Sequence, residues 1–199
     1  MNIISNCCLG GFITRDILHE QFSNPFVWAW ITTDDVCFLA EHYKDIDFRK
    51  FTIAPHDGKL IDGCCFDVIV DRGIKIVNAH YQFKSGCVNI QQEHERNLVV
   101  HNEIWKFVVK KYIERVKRMY SLHEHPVFAL CDNRNGCGTF THEQVKFLSR
   151  QTRYKIVFCS EIDYSDKNND SFLFIHKNGN LLHEIVSEYG NNIKDFYCK

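Results

Sequence analysis

The chain has 199 residues, 45% of them hydrophobic and 14% aromatic, with 24 Lys and Arg against 25 Asp and Glu and a formal charge of -1. That length suits a single domain over residues 1–199, since one α/β domain runs to about 200–250 residues, and the apolar content excludes a disordered tail. The balanced charge argues against nucleic acid, whose phosphate backbone calls for a clustered basic excess. No apolar run approaches the roughly 20 residues of a membrane span, and no basic segment followed by an apolar one opens the chain. A cytoplasmic protein without an integral membrane segment is expected.

In chain order, Asn2 to Ser5 reads as a short apolar strand, Asn6 to Gly11 as a turn, and Ile13 to Phe22 as a helix. Phe26 to Ile31 is a second apolar strand after Pro25, and Thr33 is placed to cap a helix through Tyr43. Phe48 to Ile53 predicts a strand that ends at the turn Pro55-His56-Asp57-Gly58. Cys65 to Val70 and Ile74 to Ala79 flank Asp71-Arg72-Gly73, a three-residue hairpin signal. The polar stretch Lys84 to Arg96 reads as a loop. From 103 to 120, Trp105, Val109, Tyr112, Val116 and Met119 recur at spacings of three and four, as one stripe of a helix does. Val127 to Cys131 is a buried-type strand, and Thr141 with Gln144 forms a capping box for a helix up to Arg150. Tyr154 to Cys159 is another strand. Phe172 to His176 and Leu181 to Ile185 predict a hairpin across Asn178-Gly179. Strands alternating with helices imply an α/β fold: one layered domain, a mixed sheet flanked by helices, and an antiparallel hairpin in the middle.

Ten cysteines, at 7, 8, 37, 64, 65, 87, 131, 137, 159 and 198, lack paired CxxC spacing, so a zinc site is not expected. A disulfide framework belongs to small secreted chains, so these thiols read as reduced and hydrophobe-like.

In α/β folds ligands gather at the carboxyl ends of the strands. Three segments leave strands there with reactive or polar residues: Ser5 to Gly11, Asn78-Ala79-His80-Tyr81, and Cys131 to Cys137. Cys8 lies closest to a helix N-terminus, where the dipole and unsatisfied N–H groups lower a thiol pKa below about 8.5. Gly10 and Gly11 offer amides to an oxyanion or phosphate, with Asn6 beside them. His80 is the candidate general base or acid for such a thiol. Asp132 is the group that orients it or holds a hydroxyl. Tyr81, Asn133 and Arg134 are candidate substrate contacts. A plainer reading also fits: the cysteines pack inward, the glycines form a turn, and the third loop is an Asx turn. With one carboxylate in that loop, neither a metal centre nor a cofactor is expected.

The opening Ile4-Ser5-Asn6-Cys7-Cys8-Leu9-Gly10-Gly11-Phe12-Ile13, with Asn24-Pro25-Phe26-Val27, resembles a bacterial domain-of-unknown-function family often labelled exopolysaccharide biosynthesis protein. That family opens with Ser-Asn-Asn-Cys-Trp-Gly-Gly and an Asn-Ser-Pro segment, then carries a His-Tyr pair, a basic helix with Trp, and an Asp-Arg-Asp-Gly-Cys-like turn. His80-Tyr81, Trp105 to Arg118 and Asp132 to Cys137 are similar to these, so the resemblance covers most of residues 3 to 160. Cys7 departs from the family's Asn, Leu9 from its Trp, and Asn135 from its second acidic residue. The resemblance implies a transferase-like enzyme of surface-polysaccharide biosynthesis whose partner is a small sugar or nucleotide-sugar. A looser similarity, in an early cysteine and a later histidine, is to a papain-like cysteine peptidase family, which has His-His where this chain has His80-Tyr81. It implies a cysteine hydrolase or acyltransferase. A third alternative is a non-catalytic glycan-binding module.

Overall fold

The computed structural model describes residues 1–19, 24–55, 66–78, 98–122, 125–132, 138–177 and 182–198. The elements are β1 (Ile3–Ser5), α1 (Leu9–Phe12) running into a π turn over Ile13–Ile17, β2 (Ala29–Trp30), α2 (Thr33–His42), β3 (Phe51–Pro55), β4 (Phe66–Val70), β5 (Lys75–Asn78) and α3 (Leu98–Ser121). They continue with β6 (Val127–Cys131), α4 (His142–Ser149), β7 (Ile156–Ser160), β8 (Phe172–His176) and α5 (Leu182–Cys198). The chain is α/β.

The strands form two sheets. One is parallel, in the order β1-β6-β7-β8, and the other is antiparallel, in the order β2-β5-β4-β3. The predicted hairpin thus belongs to a sheet of its own rather than to one mixed sheet. Its turn needs left-handed backbone at two successive residues, Arg72 at φ 64° and Gly73 at φ 79°, and the glycine meets the second requirement without a Cβ clash.

Every residue of β6 and β7 is buried, which is why both read as unbroken apolar runs; a parallel sheet covered on both faces needs no polar side. Alternate residues serve two cores. Ile4, Phe128, Leu130, Ile156 and Phe158 pack with Val68 and Ile76 of the antiparallel sheet and with Tyr112 of α3. Ile3, Ala129, Cys131, Val157 and Cys159 face the other way, onto Leu9 and Ile13 of the first helical segment and Ile185 and Ile193 of α5. The α3 stripe buries Val108, Tyr112, Val116 and Met119, and the Tyr112 hydroxyl donates to the Phe48 carbonyl at 3.1 Å.

Several sequence expectations change. The helix expected over 13–22 begins earlier and widens into the π turn, while residues 20–23 lie outside the described set. The strand over 26–31 shrinks to two residues because residues 25–28 form a turn. Thr32, not Thr33, caps α2, its hydroxyl accepting from the Asp35 N–H at 3.1 Å. The capping box of Thr141 and Gln144 forms as its spacing predicts. The second hairpin arm expected over 181–185 is helical from Leu182, where α5 begins and buries Ile185, Val186, Ile193 and Tyr197 at helical spacing, while Asn178-Gly179 and Leu181 lie outside the described residues. The turns and loop expected at 56–58 and 84–96 lie outside the described residues. Among those described, no helix is long and apolar enough to cross a membrane.

Candidate functional site

The carboxyl ends of β1, β6, β7 and β8 bring together residues 5–8, Cys131-Asp132, Cys159-Ser160 and His176-Lys177. Ser5 starts the assembly. Its buried hydroxyl donates to the Ala129 carbonyl at 2.7 Å and accepts from the Gly10 N–H at 3.1 Å. Asn6 continues it: its amide Nδ2 donates to the Cys131 carbonyl at 2.8 Å and its Oδ1 accepts from the Cys131 N–H at 2.9 Å. A fully buried side chain thereby replaces the backbone pairing that β1 would have made one residue later. Asn6 is a clamp on β6 rather than a substrate contact, because both of its polar ends are engaged inside the protein.

Gly10 and Gly11 correct a second expectation. The Gly10 amide bonds to Ser5 Oγ and the Gly11 amide to the Cys8 carbonyl at 3.0 Å, so neither is aimed at an oxyanion or phosphate. Close packing explains both residues. A Cβ on Gly10 would lie 2.7 Å from Ser5 Cβ, and one on Gly11 would lie 2.3 Å from the Trp28 indole.

Cys8 immediately precedes α1 and is half-buried. Burial pushes its pKa above the ordinary 9.0, opposed by a hydrogen bond from the Trp30 indole. The low pKa expected from the helix dipole does not appear, since α1 is four residues long before the π turn and few aligned peptides follow the thiol. At neutral pH Cys8 is a thiol.

The residues around it were not singled out from the sequence. Trp28 sits at φ 61°, a left-handed backbone that is an outlier for a bulky side chain. Its indole lies over Gly11, meets the Phe12 ring edge-on with centroids 5.2 Å apart, and has the Arg15 guanidinium 5.7 Å from its centroid. Phe12, Trp28 and Trp30 are all half-buried; the first two pack on each other and the third hydrogen-bonds to Cys8. The only sequence signal was two tryptophans two residues apart, within what read as an ordinary apolar strand.

Asp132 directly follows β6 and is 8% exposed. Its Oδ1 accepts from the Phe140 N–H and its Oδ2 from the Ser160 hydroxyl, both at 2.8 Å. Ser160 Oγ in turn accepts from the Ile162 N–H at 3.0 Å. The carboxylate thus holds the chain that leads into α4, while residues 133–137, where an Asx turn was the plainer reading, lie outside the described residues. His80, Tyr81, Asn133 and Arg134 lie outside the described residues. The last described residue before His80, Asn78, is the Cα partner of Ala29, between Trp28 and Trp30. The Ile31 N–H bonds to the Asn6 carbonyl at 3.4 Å, which ties this edge of the antiparallel sheet to the loop of Cys8.

Beneath the rim, Cys7, Cys131 and Cys159 are fully buried and Lys177 is 6% exposed. Among the described residues, no group of three or more His, Cys, Asp or Glu is arranged to hold a metal ion. No protein-family model matches the chain, and no curated protein matches it either.

Proposed function

We propose that the chain is a transferase-like enzyme of surface-polysaccharide biosynthesis that binds a sugar or nucleotide-sugar at the carboxyl rim of its parallel sheet. The observation that carries the reading is the half-buried Trp28, held in a left-handed conformation over Gly11 and against Phe12, both in the helical segment that follows Cys8. Strained residues concentrate where a ligand is gripped, and an indole face beside polar acceptors suits a sugar, which presents C–H groups on one face and hydroxyls at its edge. Asp132 supports it further: each carboxylate oxygen accepts one internal bond and keeps a second lone pair for a hydroxyl. The family resemblance supplies the pathway. In this reading Cys8 contacts substrate as a thiol, and His80 remains the general acid or base.

The raised Cys8 pKa counts against a papain-like hydrolase, which works through an activated thiolate. It is compatible with the glycan-binding module, whose discriminating property is binding without turnover. The test is incubation of the purified chain with labelled uridine- and guanosine-diphosphate sugars and a lipid-phosphate acceptor, followed by product analysis. Saturable binding with sugar transfer is expected, and Cys8→Ala should reduce transfer at least about tenfold, the cost of one substrate contact, while the variant stays folded. Saturable binding with no transfer supports the module instead, and no binding of any sugar nucleotide overturns the transferase reading.

A further inference from the structure

The charge of the chain is unevenly placed. Helix α3 carries six basic residues, Lys106, Lys110, Lys111, Arg115, Lys117 and Arg118, against Glu103 and Glu114. That is a formal +4 on one helix of a chain whose total is -1, so the remainder carries -5. One side of α3 is buried in the core through Val108, Tyr112, Val116 and Met119. Its exposed side is also a stripe. Lys106, Lys110, Ile113, Lys117 and Tyr120 are all exposed and recur at spacings of four and three. They form one row along the helix, about 21 Å long at a rise of 1.5 Å per residue.

Two features separate this row from an ordinary solvated helix face. Such faces mix acids with bases and pair them along the helix, whereas no acid stands in the row. Lys110 and Lys117 make no ion pair among the described residues, while Lys111, on the flank, meets Glu114 at 3.4 Å. The second feature is apolar. Ile113 and Tyr120 are 37% and 41% exposed, two of the four exposed large hydrophobics among the described residues, and both lie between or beside lysines of the row. Tyr120 is held outward, its hydroxyl accepting from the Phe48 N–H at 3.1 Å and its ring 5.4 Å from the guanidinium of exposed Arg49.

We infer that α3 is a membrane-docking surface, a peripheral contact between the row from Lys106 to Tyr120 and the anionic headgroups of a lipid bilayer. Lysine stems lie along apolar surface while their ammonium groups reach lipid phosphates. Ile113 enters the boundary between headgroups and acyl chains, and Tyr120 sits at the depth that tyrosine favours. A nucleic acid would engage the lysines but would set Ile113 against phosphate, with nothing apolar to receive it. The contact needs no spanning helix. The inference stands apart from the sugar reading, because vesicle binding requires no sugar nucleotide.

The test is sedimentation of the full chain with vesicles of phosphatidylcholine, either alone or with about one third phosphatidylglycerol to supply the negative surface potential. Binding to the anionic vesicles alone, weakened by added salt, is the expected result. Lys110→Gln combined with Lys117→Gln should weaken it about 25-fold, at about fivefold for each charge removed from the surface. Lys146→Gln combined with Lys194→Gln removes the same charge from exposed positions on α4 and α5 and should stay within about twofold of the parent. Ile113→Gln leaves the charge unchanged and should weaken binding about fivefold. Circular dichroism checks that each variant is folded. Equal sedimentation with both vesicle types overturns the inference. So does an equal loss in the two lysine pairs, or an Ile113→Gln chain that binds as the parent does, since charge attraction alone would then account for binding and a nucleic acid would serve as well.

Discussion

The two ends of the parallel sheet differ in how their polar groups are used. At the amino end, Lys155, Asn169, Asp170, Asn192, Asp195, Leu173 and Phe196 line a cleft of about 670 Å3. Its groups are mostly turned to their own chain: the Lys155 ammonium bonds to the Asp170 carbonyl and lies 4.9 Å over the Phe196 ring, and the Asn169 amide donates to the Ser149 and Lys167 carbonyls. At the carboxyl end, Ser5, Asn6, Asp132, Ser160 and Lys177 are all buried, and each of the first four makes hydrogen bonds between segments distant in sequence. Burying a polar group is unfavourable unless it is paired. A fold that concentrates such groups at one end has a built rim there, whereas open volume at the other end is only space between a helix and two strand starts.

The sharpest contrast is expected from asparagine. Asn6→Ala leaves the Cys131 N–H and carbonyl without their partners in a dry interior and should cost about 2–6 kcal/mol, at roughly 1–3 kcal/mol for each group left unmade. Asn192→Ala at the amino-end cleft should fall within about 0.5 kcal/mol of the parent, as surface changes do. Urea unfolding compares the two, and equal losses would erase the difference between the rims. A smaller effect is expected from Gly11→Ala, whose methyl group would meet the Trp28 indole. Displacing the ring should destabilise by about 1–3 kcal/mol and shift the tryptophan emission, and an unchanged spectrum would mean that Trp28 is not pinned. The smallest is a titration. Because burial raises the Cys8 pKa, its alkylation by iodoacetamide should rise with a midpoint above 9.0. A midpoint below about 8 would restore the nucleophilic reading of this thiol.

What could be read from the sequence was local. The runs of β6 and β7, the capping box at Thr141 and the Arg72-Gly73 turn each depend on neighbours within a few residues, so their residue types were enough. The region of Asn178-Gly179 misled because a hairpin signal of two residues outweighed a helical repeat that becomes apparent only over Leu182 to Tyr197. The rim itself was partly visible: Cys8 and Asp132 were picked out as strand-exit residues, and they lie at the ends of adjacent strands. The roles of their neighbours were not. Asn6 and the glycines looked like ligand contacts, and only the register of β1 on β6 and the position of Trp28 reveal them as a clamp and as packing clearances. Trp28 was missed for the same reason, since its left-handed backbone follows from a tertiary contact with Gly11.

The central claim, that the carboxyl rim is where a sugar nucleotide binds, is tested most directly by following the tryptophan indole N–H resonances of the 15N-labelled chain during titration with uridine- and guanosine-diphosphate sugars. Saturable shifts of the Trp28 and Trp30 signals, assigned with Trp28→Phe and Trp30→Phe variants, with Asn192 at the opposite end unmoved, are the predicted result. Indole signals that stay fixed throughout the series, or shifts confined to the amino-end cleft, would contradict it.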